Sequence, residues 1–227
     1  MRMSSIGASL LAGVAGYVDT LGFVALFGLF TAHVTGNFVL IGGELARPGH
    51  GGVLLKMLVF PAFMMAVAVA HLIGRHCERR GRSSIRPVLI CETLLLCGFL
   101  LAGVWASPIK LSDSTGTLLA GVLGGMAMGV QNCLSRQALA KLTPTTVMTG
   151  NVTQLVMDTV DWLTGQATPD VRARMGKLLF PVLAFGLGAI GGAMGYVQVG
   201  FVALMLPLGV LLALIWKAEA LLTEPHG

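Results

Sequence analysis

The tripeptide Thr-Gly-Asn (TGN) occurs twice in this chain, at residues 35–37 and 149–151, and the sequence around it repeats as well. Upstream of each copy, a small residue stands at every fourth position: Ala8, Ala12 and Gly16 in the first copy, Gly121, Gly125 and Gly129 in the second. A polar residue follows three positions later, Asp19 or Asn132. The pattern predicts one half of roughly 110 residues written twice, with repeats at about residues 5–107 and 115–218.

Composition indicates which solvent the two halves fold in. Hydrophobic residues make up 55% of the chain and charged residues only 11%, against about 25% charged in a soluble domain. Most basic residues lie in the short gaps between apolar segments, which is typical of topology signals and not of a nucleic-acid-binding face. We therefore expect a single all-α polytopic membrane domain over residues 1–227, in contact with a lipid bilayer and not with nucleic acid.

Apolar segments long enough to cross a bilayer of about 30 Å occur at residues 6–30, 52–74, 87–106, 117–135 and 178–216. The last of them is nearly twice the length of one crossing, so it is predicted to fold back near residues 195–198. The sequence thus predicts six transmembrane helices, three in each half.

The two TGN segments are predicted to enter the membrane without crossing it. From Asn37 to Ala46 the chain is too short for a spanning helix. With six crossings, all fifteen Lys and Arg residues except Arg47, Lys56 and Lys110 fall on the cytoplasmic side, whereas eight crossings would divide them almost evenly. Because positive charge concentrates inside, we expect short re-entrant or broken half-helices at the TGN motifs, and cytoplasmic N- and C-termini.

An odd number of crossings per half makes the second half enter from the opposite face. The halves are then inverted repeats, an arrangement that secondary transporters use around a site near the bilayer midplane. We therefore expect a proton-coupled secondary transporter with its site at the repeat interface near the two TGN motifs; the alternative is a channel, since some channels are built in the same way.

Several motifs resemble those of the YoaK family, a widespread group of bacterial inner-membrane proteins with a domain of unknown function. The resemblance lies in Gly16-x-x-Asp19-x-x-Gly22-Phe23, His33-x-Thr35-Gly36-Asn37, Gln131-Asn132 with Arg136, and Thr145-Thr146-x-Met148-Thr149-Gly150-Asn151. It covers nearly the whole chain and implies a multi-pass protein of the bacterial inner membrane, but it implies no substrate.

Each TGN motif is a candidate site for a small polar or anionic solute. If a helix begins there, its N-terminus offers N–H groups and a partial positive charge, the threonine can cap it, and the glycine allows close approach. The predicted solute-binding residues are Thr35, Gly36, Asn37, Thr149, Gly150 and Asn151. The alternative is that the motifs are packing joints between helices.

Asp19 and His33 are the candidate coupling residues. A carboxylate near the middle of a span is costly, so Asp19 either binds the proton or cation that drives transport or is paired with Arg136. His33 could respond to pH. Gln131 and Asn132, at the counterpart position of Asp19, either orient the solute or hold helices together through their amides.

The remaining expectations concern structure and chemical class. Glu44 and Asp158, seven residues after each TGN asparagine, are expected to pair with basic residues or to end the short helices; Glu92 is expected to snorkel or to pair with Arg86. The glycine ladders Gly121/Gly125/Gly129 and Gly188/Gly192 predict close helix packing, and glycine-rich helices of this kind also allow a possible homodimer. No nucleophile, metal-ligand or nucleotide motif occurs, so the protein is expected not to be an enzyme and to need no metal or cofactor; a membrane-embedded enzyme is the weakest alternative.

Overall fold

The computed structural model describes residues 3–49, 51–137, 145–146 and 148–217, and every regular element in that part of the chain is a helix. The elements are α1 (Met3–Ala25), α2 (Gly36–Ala46), α3 (Val53–Arg79), α4 (Ile85–Ala106), α5 (Thr115–Arg136), α6 (Met148–Leu163), α7 (Pro169–Val199) and α8 (Met205–Trp216), with a 3₁₀-helix at Gly200–Leu204 between α7 and α8. Both halves therefore share one order: a long helix, a short helix at the TGN motif, then two more helices.

Five segments are long and apolar enough to cross a membrane, and they make the chain a multi-pass helical membrane protein. They are Ile6–Ala25, Val53–Arg79, Ile85–Ala106, Thr115–Arg136 and Pro169–Trp216. The fifth, 48 residues long, contains both α7 and α8. The TGN helices are shorter than these segments: at 1.5 Å per residue, α2 is about 16 Å long and α6 about 24 Å, less than the roughly 30 Å of a bilayer core.

The long apolar segment reverses direction at Gly200, close to the predicted position. Gly200 has a φ of 62°, in the left-handed region that glycine adopts without strain, and this ends α7. Beyond it, Phe201 packs against Gly103 near the end of α4. At the other end of α8, the Nε of Arg86, near the start of α4, donates to the carbonyl of Ile215 at 3.1 Å. Helix α8 therefore runs antiparallel to α4.

The first helix of each half packs parallel to a helix of the other half, and small residues allow the close approach. On α5, Gly121, Gly125 and Gly129 lie against successive turns of α3, where they meet Leu55, Val59 and Phe63. A Cβ atom on Gly129 would lie only 2.8 Å from the carbonyl oxygen of Phe63. In the same way, Gly188 and Gly192 of α7 lie against the backbone of Gly13 and Tyr17 in α1. The predicted packing role of both glycine ladders is confirmed, and each ladder is covered within one chain.

The remaining contacts fix the directions of the long helices. Helix α5 runs antiparallel to α4, because Gly116 lies against Ala106 and Gly124 against Phe99. The hydroxyl of Tyr17 donates to the carbonyl of Ala203, beside the last turn of α7, at 3.0 Å. Helices α5 and α8 are both antiparallel to α4, α3 is parallel to α5, and α7, which reverses into α8, is parallel to α1. Consequently α1, α4 and α7 run one way and α3, α5 and α8 run the other.

Helices α1 and α5 form the centre of the bundle. In each of them 67% of the residues in the most apolar 18-residue stretch are buried, against 33–44% in the other candidate spans. Since Asp19 lies on α1, and Gln131 and Asn132 on α5, the polar residues of interest project from the two most enclosed helices.

Candidate functional site at the two TGN corners

Asp19 ties the segment before the first TGN motif to α1. The residue is 4% exposed, and its Oδ1 accepts hydrogen bonds from the backbone N–H of Thr31 and of Ala32, each at 2.7 Å, and from the Thr31 hydroxyl at 3.3 Å. The alternative pairing with Arg136 is wrong, since the partners of Asp19 lie in residues 31–33 and Arg136 is exposed. We call Asp19 and residues 30–37 the first corner.

His33 occupies the second oxygen of the same carboxylate. Its Nδ1 lies 2.6 Å from Asp19 Oδ2, and its side chain is 36% exposed while that of Asp19 is 5% exposed. The imidazole ring stands edge-on to Phe30 and to Phe185 of α7. The hydrogen bond to the Asp19 carboxylate raises the pKa of His33 above its ordinary value of 6.5, while burial acts in the opposite direction. His33 is thus the accessible member of this hydrogen-bonded pair.

Asn37 of the first TGN motif closes the first corner. Its amide group makes a reciprocal pair of hydrogen bonds with the backbone of Phe30: the Phe30 N–H donates to Oδ1 at 2.9 Å, and Nδ2 donates to the Phe30 carbonyl at 2.8 Å. The Asn37 side chain is 1% exposed. Two bonds from one buried amide fix the loop that leads into α2.

The first TGN motif starts a helix as predicted, but the expected threonine cap is absent. Thr35 is the N-cap residue of α2, and its side chain makes no capping hydrogen bond. The backbone N–H groups of Gly36, Asn37 and Phe38 already donate to the carbonyls three residues earlier, at 2.8–3.2 Å. Because this tight first turn satisfies the early N–H groups, they need no bond from the Thr35 hydroxyl, which is exposed.

The second corner, which comprises residues 131–135, 145–146 and 148–151, repeats the same tie. Asn132 Nδ2 donates to the Thr146 hydroxyl at 2.8 Å, and the backbone N–H of Thr145 donates to the hydroxyl of Ser135 at 3.0 Å. Thr145 and Thr146 stand as far before their TGN motif as Thr31 and Ala32 stand before theirs. In both halves, then, the polar residue of the first helix bonds to the segment that lies three to four residues before the TGN motif.

Gln131 connects the second corner to α1. Its Nε2 donates to the backbone carbonyl of Leu11 at 2.7 Å and to the Thr145 hydroxyl at 3.3 Å. Its Oε1 is buried and has no hydrogen-bond partner in the described part of the chain. Of the two roles expected for this amide, the contact between helices is the one that these bonds display.

The second TGN motif lies inside the first turn of α6. The helix begins at Met148, so Thr149 follows its first residue and is not at the N-cap position from which its side chain was expected to cap. Thr149 and Gly150 are exposed, whereas Asn151 is 5% exposed and its Nδ2 lies 3.8 Å from the sulfur of Met148. The first and second residues of this motif are therefore the accessible ones.

Both corners rest on α5. A Cβ atom on Gly124 would lie 3.2 Å from the Thr31 methyl group of the first corner, and seven residues further along α5 is Gln131, which binds Thr145 of the second corner. Seven residues of helix correspond to about 10 Å. Among the described residues, no hydrogen bond joins the two corners directly; the connection runs through the centre of α1 and α5.

A groove of about 710 Å³ opens beside the first corner, between the end of α1, α2 and the start of α3. Apolar side chains form most of its wall, with Glu44, Arg47 and Lys56 among its lining residues. Lys56 is only 4% exposed, and its Nζ donates to the carbonyls of Phe27 at 2.6 Å and Gly51 at 3.2 Å. The groove lies next to α2 but is not lined by any of the described candidate site residues.

The two acids that follow the TGN motifs have the structural roles that were expected. Glu44 accepts the backbone N–H groups of Gly49 and Gly51 at 2.7 and 2.9 Å, which orders the turn after α2. Asp158 forms a two-bond ion pair with Arg174 of α7, at 2.6 and 2.8 Å, and accepts from Gln154 at 2.8 Å. The Arg174 hydrogen bond lowers the pKa of Asp158, and this outweighs the effect of burial.

Glu92 differs most from its expected place. It is fully buried in α4, and neither carboxylate oxygen has a hydrogen-bond partner among the described residues. The predicted pairing with Arg86 is wrong, because Arg86 is exposed and donates to the carbonyls of Ile215 and Trp216. Its apolar sequence neighbours are compatible with both a lipid-facing and a buried side of the helix, so the sequence carries no signal for this position.

Comparison with known proteins agrees with this architecture. A family profile described as "Protein of unknown function (DUF1275)" matches residues 7–216. The chain is a member of the DUF1275 family. A relative described as "UPF0700 transmembrane protein YoaK", from Bacillus subtilis (strain 168), is 26% identical over 151 residues, which is 66% of this chain and 64% of that relative. The match thus spans less than two thirds of the relative's length, and no solved structure matches. The resemblance to the YoaK family is confirmed, as is the multi-pass membrane character.

Proposed function

We propose that this member of the DUF1275 family is a proton-coupled secondary transporter of a small polar or anionic solute, built as two inverted repeats. The observation that carries the proposal is the pair of corners. In each half, a polar residue of a central helix binds the segment just before a short TGN helix: Asp19 in one half and Asn132 in the other. Secondary transporters place solute sites at interrupted helices of this kind, near the interface of inverted repeats.

The helix directions support the inversion. Helices α1, α3 and α4 of the first repeat correspond to α5, α7 and α8 of the second. Because α1, α4 and α7 run one way and α3, α5 and α8 the other, every long helix opposes its counterpart. Two repeats related by an axis in the membrane plane have this arrangement.

The position of α2 supports a re-entrant segment and six crossings. Lys56 at the start of α3 reaches the carbonyl of Phe27, which follows α1. The chain therefore leaves toward α2 and returns to α3 at the same end of the bundle. Together with the positive charges of the sequence assigned to the inside, this arrangement supports the proposal that both termini are cytoplasmic; the location in the bacterial inner membrane is proposed from the family resemblance.

In the proposed mechanism, the proton is carried by the pair of Asp19 and His33. Three donors converge on one oxygen of Asp19, and its other oxygen faces the Nδ1 of His33. The half-exposed His33 imidazole is then the group that gains and releases the proton, and Asp19 holds its charged form. The solute lies between the corners, against the accessible Thr35, Gly36, Thr149 and Gly150, while the amides of Asn37, Asn151, Gln131 and Asn132 keep the corners in place.

The proposal is tested with purified full-length protein in liposomes that enclose a pH-sensitive dye. Small carboxylates, phosphate, sulfate and neutral polar solutes are applied outside, one at a time. We expect at least one solute to cause saturable acidification of the lumen, which Asp19→Asn abolishes. Solute flux that does not saturate and moves no protons would instead identify a channel, and proton movement that Asp19→Asn leaves unchanged would refute the coupling role of the pair.

A further inference from the structure

Glu92 is a fully buried carboxyl group that the proposed mechanism does not use. It is 0% exposed, and both of its oxygens lack hydrogen-bond partners in the described part of the chain. An ionised carboxylate in such a place loses its hydration without compensation, which is far more costly than burying the neutral acid. The neutral acid also has an O–H group that needs an acceptor.

Gln131 has the complementary deficit. The backbone carbonyl of Leu11 can only accept, so the nitrogen of the Gln131 amide must face it, and Nε2 is indeed 2.7 Å away. This fixes the orientation of the amide and leaves Oε1 as a buried acceptor without a donor among the described residues. Buried polar atoms of this kind are rare in folded proteins. Gln131 therefore lacks one donor, and a protonated Glu92 would supply one.

The register of α4 and α5 brings the two side chains to the same level. Phe99 of α4 lies against Gly124 of α5, where a Cβ atom would be 3.1 Å from the phenyl ring. The helices are antiparallel, and Glu92 precedes Phe99 by seven residues while Gln131 follows Gly124 by seven. Seven residues are close to two full turns, so each side chain lies on the same face as its helix's contact residue. Glu92 and Gln131 therefore face each other across the interface, two helical turns away from the contact between Phe99 and Gly124.

The buried cation of the helices around Glu92, Lys56 of α3, lies at the level of Gly121, ten residues of α5 away from Gln131, and donates to the carbonyls of Phe27 and Gly51. Helix α4 packs against α5, α3, α8 and the 3₁₀-helix. The residues of α8 and of the 3₁₀-helix include no titratable group. The titratable groups on the Glu92 side of the other elements are Cys91 and Arg86 of α4, Cys133 and Arg136 of α5, and His71, Arg75 and His76 of α3; every cationic side chain among them is exposed.

We propose that Glu92 is a proton-binding site of this protein and that its carboxyl O–H donates to Oε1 of Gln131. When Glu92 loses the proton to water, its carboxylate faces the carbonyl oxygen of the amide, which is repulsive. Rotation of the Gln131 amide then gives the carboxylate an N–H donor, but it removes the bond to the Leu11 carbonyl, which cannot donate to the amide oxygen. Protonation of Glu92 thus holds the second corner against α1, and deprotonation releases it. This site exists whether or not the chain transports a solute.

Infrared spectroscopy of the purified full-length protein tests the proposal without any solute. At neutral pH, we expect the carbonyl stretching band of a protonated carboxylic acid, removed by Glu92→Gln and kept in the control Glu78→Gln, which changes an exposed acid in the same way. Gln131→Leu should move the band to higher frequency, because the hydrogen bond is lost.

A second measurement covers the case in which the variants do not fold. In the wild-type protein, carbon-13 labelling of glutamate should shift the band, and labelling of aspartate should not. The absence of such a band at neutral pH, or a band that responds only to labelled aspartate or persists in Glu92→Gln, would overturn the proposal.

Discussion

The first and second corners tie equivalent segments together with opposite hydrogen-bonding chemistry. In the first, Asp19 accepts four hydrogen bonds from Thr31, Ala32 and His33. In the second, Asn132 acts as a donor, to the hydroxyl of Thr146. The fold therefore needs a polar residue at this position but not a charged one. The fold does not require the charge of Asp19. Its carboxylate is paired with His33, the only titratable side chain of residues 30–37.

The asparagines of the two TGN motifs differ for a related reason. Asn37 bonds both the N–H and the carbonyl of Phe30, seven residues earlier. The residue seven before Asn151 is Pro144, which has no N–H group, and its placement lies outside the described residues. The two-bond clamp of the first corner cannot be repeated in full. At this position the first corner therefore has a backbone N–H bond that Pro144 cannot provide in the second, and unequal rigidity would let one corner move while the other stays fixed.

Removing the polar tie should affect the first corner most. Asp19→Ala leaves the buried N–H groups of Thr31 and Ala32 without an acceptor, and since each unsatisfied donor costs roughly 1–3 kcal/mol, we expect a loss of about 3 kcal/mol in the free energy of unfolding. Asn132→Ala removes one bond between side chains and should cost about 1 kcal/mol. Unfolding of both variants in detergent, followed by helical circular dichroism, compares them; equal losses would mean that the corners are equally dependent on their ties.

The asparagine clamp should give the next largest difference. Asn37→Ala removes both hydrogen bonds to Phe30, so about 2 kcal/mol of stability should be lost, against about 1 kcal/mol for Asn151→Ala. The same unfolding experiment measures both. If Asn151→Ala proves the more damaging, the second corner is the rigid one and the ranking above is reversed.

The pH dependence of stability should be smaller and confined to the first corner. The pKa of His33 is raised in the folded protein by its bond to Asp19, so the stabilisation it provides is fully present below the ordinary histidine value of 6.5 and is lost as pH rises through the raised pKa. We expect the unfolding temperature to fall over that range in the wild type. His33→Gln should remove this slope, whereas His76→Gln, a change at an exposed histidine on α3, should keep it; a slope that survives in His33→Gln would assign it to another group.

Much of the fold was predictable because it depends on local pattern. The order of helices shared by the two halves, the short helices at TGN, the packing of the glycine ladders and the reversal near residue 200 follow from spacing, length and helix-breaking residues. The partners of Asp19 were not predictable, because they are backbone groups twelve and thirteen residues away whose position depends on how the loop folds over α1. The burial of Glu92 was hidden for a similar reason: which face of α4 meets α5 is set by Gly98, Gly116 and Gly124 in the facing helices, and apolar neighbours alone do not indicate it.

Asp19→Asn tests the central claim most directly, because it converts the first corner to the chemistry of the second while preserving the fold. The Oδ1 of asparagine can keep all three loop bonds that Oδ1 of Asp19 accepts, and Nδ2 can donate to the Nδ1 of neutral His33. We expect this variant to retain wild-type stability within about 1 kcal/mol and to lose solute-dependent proton movement in the dye-loaded liposomes, while Asn132→Gln retains it. An Asp19→Asn protein that is stable and still moves protons with the solute would contradict the account.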